Sequence, residues 1–87
     1  MKAVEILETA AKLVSGDRNK QNGDARENHA NIAVLWSAWL GVAIRPEDVI
    51  AMMVLLKLAR TKSGNINPDD YVDACGYASL MGQLETE

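Results

Sequence analysis

Val49-Ile50-Ala51-Met52-Met53-Val54-Leu55-Leu56-Lys57-Leu58-Ala59-Arg60 is an apolar run long enough to form a helix, broken near its end by two cations. A helix hydrophobic on nearly every side belongs in a core or at a seam between subunits. A lysine is almost never fully buried without a partner. The positions of Lys57 and Arg60 therefore call for an anion near the C-terminal end of this helix, supplied either by the protein or by a ligand.

Immediately before that run, Arg45-Pro46-Glu47-Asp48 is its start signal. Proline is tolerated at the first helical position, where its missing N–H costs nothing, and acids in the first turn complement the helix dipole. Lys57, Arg60 and Lys62 make a cationic last turn that the same dipole favours, so part of that charge needs no further cause. Ser63-Gly64 ends the helix. Asn67-Pro68-Asp69-Asp70 then opens another helix, expected to run to about Leu84. Gly76 and Gly82 inside it each cost about 1 kcal/mol relative to alanine, which points to close approach by a backbone or a ligand. The short 61–67 connection makes these two helices antiparallel, bringing Lys57 and Arg60 opposite Asp70 and Asp73.

Towards the N-terminus, residues 2–15 predict an amphipathic helix, with Val4, Leu7, Ala11 and Val14 on one stripe and Ile6, Ala10 and Leu13 on the next. Residues 16–24 carry no apolar side chain, and Asn22-Gly23 is a turn signal. Such a polar surface loop is either a connector or a carrier of binding groups. Asp24 and Glu27 form a potential capping box for a helix over 25–40, whose apolar face is Ile32, Leu35, Trp36, Trp39 and Leu40. His29 shares that face as a hydrogen-bonded boundary residue. The fold class expected is all-α, a small four-helix bundle with a buried third helix, forming a single domain over 1–87.

Composition supports this. The 87 residues are 48% hydrophobic, with no Phe, four Met and two Trp, a mix that favours helices over sheets. A chain this short buries a smaller fraction of its surface than a larger domain does, so self-association is expected to assist its stability. The single cysteine, Cys75, allows no internal disulfide and fits a cytoplasmic setting. A net charge of -3 with scattered basic residues opposes general nucleic-acid binding. No apolar stretch is long enough for a membrane span, so no membrane partner is expected.

Two readings of the cations stand at this point. Lys57 and Arg60 pair with Asp70 and Asp73 as a partly buried ion-pair cluster that sets the hairpin register, or the same groups wall a polar pocket for a phosphate-bearing ligand. In the second reading Arg suits bidentate phosphate contacts and Lys a point-charge contact. Tyr77 stacks on a base, and Trp36 or Trp39 closes the pocket. Glu27, Asp70 and Asp73 are the carboxylates available for Mg²⁺. Signatures for Ser-His-Asp or Cys-His catalysis, zinc ligation and phosphate loops are absent.

The order Arg18…Gly23-Asp24…Glu27-Asn28, Ile32-Ala33…Leu35-Trp36, Asp48-Val49…Met52-Met53…Leu56-Lys57-Leu58-Ala59-Arg60 and Asp70…Asp73…Gly76-Tyr77-Ala78 resembles a family of small, functionally uncharacterised proteins of bacteriophages and prophages. The resemblance covers almost the whole chain. Its Lys-x-x-Arg and Asp-x-x-x-Gly-Tyr portion is also similar to phage nucleotide-modification-associated domains and, more remotely, to MazG-type all-α nucleotide pyrophosphatases. Family members usually carry Tyr before the loop Gly-Asp, where this chain has Asn22. The pyrophosphatases hold Mg²⁺ with two acidic motifs on neighbouring helices, whereas here Glu5 and Glu8 come too early and only Asp70 and Asp73 match.

The resemblance implies a phage-encoded protein that binds a nucleotide-like small molecule in the cytoplasm of the infected bacterium without hydrolysing it. Sequestration of a host immune signal, an anti-defence role, is the function expected on a helical homo-oligomer. The ligand-binding residues expected are Lys57, Arg60, Tyr77, Arg18, Asn28 and Trp36, with no catalytic residue and no cofactor. One alternative is an Mg-dependent pyrophosphohydrolase using Glu27, Asp70 and Asp73. Another is a protein-protein module that inhibits or scaffolds a host or phage protein.

Overall fold

The computed structural model describes residues 1–16 and 25–87, and among them the chain is all helix, with no strand. The elements are α1 (Ala3–Ser15), α2 (Ala25–Leu40), α3 (Pro46–Arg60) and α4 (Pro68–Thr86). Arg18 and the Asp24 cap expected for α2 lie outside the described residues.

The helix starts form by local chemistry. At α4 the Asn67 Oδ1 accepts the Asp69 N–H at 3.1 Å, satisfying a donor that the first turn leaves unpaired. At α3 the Asp48 carboxylate reaches back to accept the Arg45 N–H at 2.9 Å and the Arg45 guanidinium at 3.3 Å. The backbone hydrogen bond, followed by the side-chain one, holds the Asp48 carboxyl below its ordinary value of 3.8. Arg45 also contacts Glu85 at 3.6 Å, tying the start of α3 to the end of α4.

Gly41 (φ +72°) and Gly64 (φ +101°) take the left-handed conformation after α2 and α3, where a side chain would be strained. The α2–α3 connection is pinned by Ser37, whose Oγ accepts the Ile44 N–H at 2.9 Å and donates to the Ile44 carbonyl at 3.2 Å.

Helix α4 packs against both α3 and α1, while α2 rests on α3. Helix α1 buries Ala10 and half-buries Ile6, Leu13 and Val14, leaving Val4, Leu7 and Ala11 exposed. It docks where α4 has Gly76, whose missing side chain would lie 3.5 Å from Val14 Cγ1. This is the close approach that a mid-helix glycine suggests. Gly82 has open space instead.

The expectation of a third helix buried on nearly every side is met only at its start. Val49 and Ile50 are fully enclosed, whereas Met52, Leu55, Leu56 and Leu58 remain exposed. Two neighbouring helices cover only part of a helical cylinder. The core is correspondingly thin: among the described residues its buried apolar members are Ala10, Ala33, Val49, Ile50, Val72 and Ala74, of which Val49, Ile50 and Val72 are fully enclosed.

Candidate functional site

The α3–α4 hairpin resolves the cations of the apolar run residue by residue. Lys57 Nζ lies 3.0 Å from Asp73 Oδ2, and Arg60 Nε lies 3.1 Å from Asp70 Oδ1. Advancing one turn along α3 moves the partner back one turn along α4, as an antiparallel pair requires. The two pairs sit in different surroundings. Lys57 and Asp73 are both nearly covered, at 17% and 13% exposure, so their attraction is weakly screened by solvent. Asp70 is 5% exposed but its partner Arg60 is 57% exposed, so a buried carboxylate is neutralised from the surface. Each pair cancels its own charge.

At the Lys57–Asp73 pair, a groove of about 650 Å³ opens among α1, α2 and α4, with Lys57 of α3 on one wall. This falls within the usual range of about 300–1,000 Å³ for small-molecule sites. Leu13, Ile32, Val72 and Leu80 supply apolar walls, and Asn28, Asn31, His29, Tyr77, Lys57 and Asp73 supply polar ones. The walls arise from helical spacing. Asn28, Asn31 and Ile32 are three and four residues apart on α2, and Val72, Asp73, Gly76, Tyr77 and Leu80 follow the same rule on α4.

His29 and Tyr77 span the gap between these helices, with ring centroids 6.2 Å apart and planes at 88°. This edge-to-face arrangement is a favourable one for aromatic pairs. His29 Nδ1 lies 2.6 Å from the Ala25 carbonyl oxygen. A carbonyl can only accept, so Nδ1 carries the proton, and in the neutral ring Nε2 keeps the lone pair. The ring is thereby fixed in orientation and tautomer by its own helix.

Lys57, Tyr77 and Asn28, singled out in the sequence, come together in the groove. Asn28 and Asp73 are also engaged in interactions within the chain, so neither is an idle group. Arg60 pairs with Asp70 outside the groove walls, and Trp36 is half-buried on α2 without lining them. Trp39 is exposed. Glu27 is exposed in the first turn of α2. Among the described residues no group of three His, Cys, Asp or Glu side chains lies close enough to hold a metal ion. Arg18 lies outside the described residues. His29 and Asn31 enter the candidate site from the structure. Their signal in the sequence is the i, i+3 spacing with Asn28 and Ile32.

No helix among the described residues is long and apolar enough to cross a membrane. The chain is 43% identical over 83 residues to the Gene 55 protein of Mycobacterium phage L5, and 40% identical over 82 residues to the Gene 55 protein of Mycobacterium phage D29. Each alignment takes in 94% of this chain, but only 53% and 54% of those relatives. The chain thus spans about half the length of the curated relatives it matches. No solved structure matches it. Residues 5–85 match the family described as "Domain of unknown function (DUF6378)". With that match and these phage relatives, the chain belongs to the DUF6378 family, which has members encoded by bacteriophages.

Proposed function

We propose that the chain captures a nucleotide-like small molecule in the groove among α1, α2 and α4, without hydrolysing it. The observation that carries this reading is the convergence of an aromatic ring, amides and a nearly covered Lys-Asp pair on a groove of small-molecule size. A heteroaromatic body matches the Tyr77 ring, which offers a stacking face of about 1–3 kcal/mol per base. The Asn28 and Asn31 amides provide donors and acceptors for a base edge. Lys57 is the cation among the described residues of the groove, and its ammonium retains donors beyond the one directed at Asp73. Because Asp73 cancels its charge, affinity rests more on the base than on the phosphate. Arg60 takes the lesser role of a rim contact.

The phage relatives support placing this capture in an infected host, where withholding a nucleotide signal serves the phage. The pyrophosphohydrolase alternative draws no support from the carboxylates. Asp70 and Asp73 are each committed to a cation, and no third acid joins them among the described residues. Calorimetric titration with cyclic dinucleotides, ADP-ribose derivatives and deoxynucleoside triphosphates tests the reading. Binding of one class, weakened at least tenfold by Tyr77→Ala and unaccompanied by phosphate or pyrophosphate release in Mg²⁺ or Mn²⁺, is the expected result. No heat with any class removes the reading, and EDTA-sensitive turnover replaces it with the hydrolase.

A further inference from the structure

Between Asn28 and Ile44 the chain contains no Asp, Glu, Lys or Arg. One flank of this uncharged segment faces the groove, but the opposite flank faces water. Val34, Leu35, Trp39 and Leu40 are all largely exposed, Leu35 at 69% and Trp39 at 87%. Leu35, Ala38 and Trp39 are three and four residues apart and so form one stripe along α2. An exposed stripe without a single charge is unlike a solvated helix face, and matches the charge-depleted centre of a protein interface.

The dimensions of the chain also indicate missing burial. Its accessible surface is 6023 Å², whereas a compact monomer of 9.5 kDa is expected to expose about 5,000 Å². Its radius of gyration is 13.7 Å, against about 12 Å for a compact domain of this length. The surplus, on the order of 1,000 Å², compares with the roughly 800 Å² that each partner contributes to a standard interface.

We infer that the outward stripe of α2 is the seat of a second copy of this chain, packed as a two-fold symmetric dimer through Leu35, Ala38 and Trp39. Charge selects this occupant. A two-fold interface sets a patch against itself, so any net charge on it would meet like charge. The chain carries -3 overall, yet this stripe has no charge to repel its copy. Trp39 is the anchor, a residue type enriched among those that dominate binding energy. The inference is independent of the groove, because Leu35, Ala38 and Trp39 are not among its walls.

Sedimentation equilibrium of the intact chain at micromolar concentration tests it, with Leu35→Glu and Trp39→Glu as variants and Val4→Glu on α1 as the control. Both substituted α2 positions are exposed in the single chain, so helical circular dichroism is expected to persist in the variants. The expected result is twice the chain mass for the parent and for Val4→Glu, and a shift to one chain mass for each α2 variant. A parent that stays monomeric across the concentration range overturns the inference. So does a dimer that survives both α2 charges, or one lost with Val4→Glu alone. Co-sedimentation of a monomeric parent with phosphatidylglycerol vesicles, abolished by Trp39→Glu, would assign the stripe to a lipid surface instead.

Discussion

At the scale of single residues, the central feature is the asymmetry between the two ion pairs. Removing one member of a nearly buried pair strands the other charge, and that penalty exceeds what the intact pair contributes. Lys57→Met is therefore expected to lower stability in urea by about 2 kcal/mol, with Asp73 left in a covered position. Lys57→Met combined with Asp73→Leu should recover most of that loss. A double mutant as unstable as the sum of its single mutants would show that the two residues act separately. Asp48 gives a pH prediction. Its folded carboxyl titrates below the ordinary 3.8 because it accepts the Arg45 backbone N–H and then the guanidinium. The stability it contributes is thus present above about pH 4 and is lost as pH falls through the lower folded value. Asp48→Asn should flatten the acid limb of the stability profile below about pH 4 and leave the neutral region nearly parallel to the parent.

Among the helices, the glycines separate backbone demands from packing demands. A side chain at Gly82 would meet nothing within 4 Å, and φ there is not positive. Gly82→Ala should raise the thermal midpoint, adding about 0.5–1 kcal/mol through helix propensity. Gly64→Ala should instead cost about 1 kcal/mol, because φ of +101° strains any side chain. Equal responses at the two sites would contradict this division.

The helix boundaries were legible because Asn67-Pro68, Arg45-Pro46 and Ser63-Gly64 act locally, through caps and breakers. That Lys57 and Arg60 face Asp70 and Asp73 was legible for a related reason: a short connection leaves two helices one antiparallel arrangement, and the structure adds which acid each cation takes. The facing of α1 and α3 was not. Helix α1 has two adjoining apolar stripes, and the structure buries Ala10 and covers Ile6, Leu13 and Val14 in part, taking residues from both, while exposing Val4, Leu7 and Ala11. Helix α3 is apolar all round, so its pattern carries no direction, and enclosure of Leu55 and Leu58 depends on neighbours that the sequence does not specify. The groove was legible only in part, because Tyr77, Lys57 and Asn28 meet through packing between distant helices. His29 bridges that space through Tyr77, a contact with no local signature.

On the scale of the whole molecule, the thin core and the surplus surface belong together. Among the described residues the fully buried large side chains are Val49, Ile50 and Val72, while Val34, Leu35, Trp39 and Leu40 keep apolar surface open to association. The same open packing leaves α2 and α4 bridged by the His29–Tyr77 contact and by the Arg26–Glu87 ion pair at the end of α4, and the separation between them is the groove. The proposed capture and the proposed self-association would thus use opposite flanks of α2, one polar and concave, the other apolar and uncharged. The most direct measurement is a two-dimensional amide NMR titration of the isotopically labelled chain with the cyclic dinucleotide, ADP-ribose and deoxynucleotide panel. The expected result is that one ligand class shifts the resonances of Asn28, His29, Asp73 and Tyr77 in a saturable way and leaves those of Val4 and Leu7 unmoved. Silence towards the whole panel, or shifts confined to residues away from the groove, would contradict the assignment.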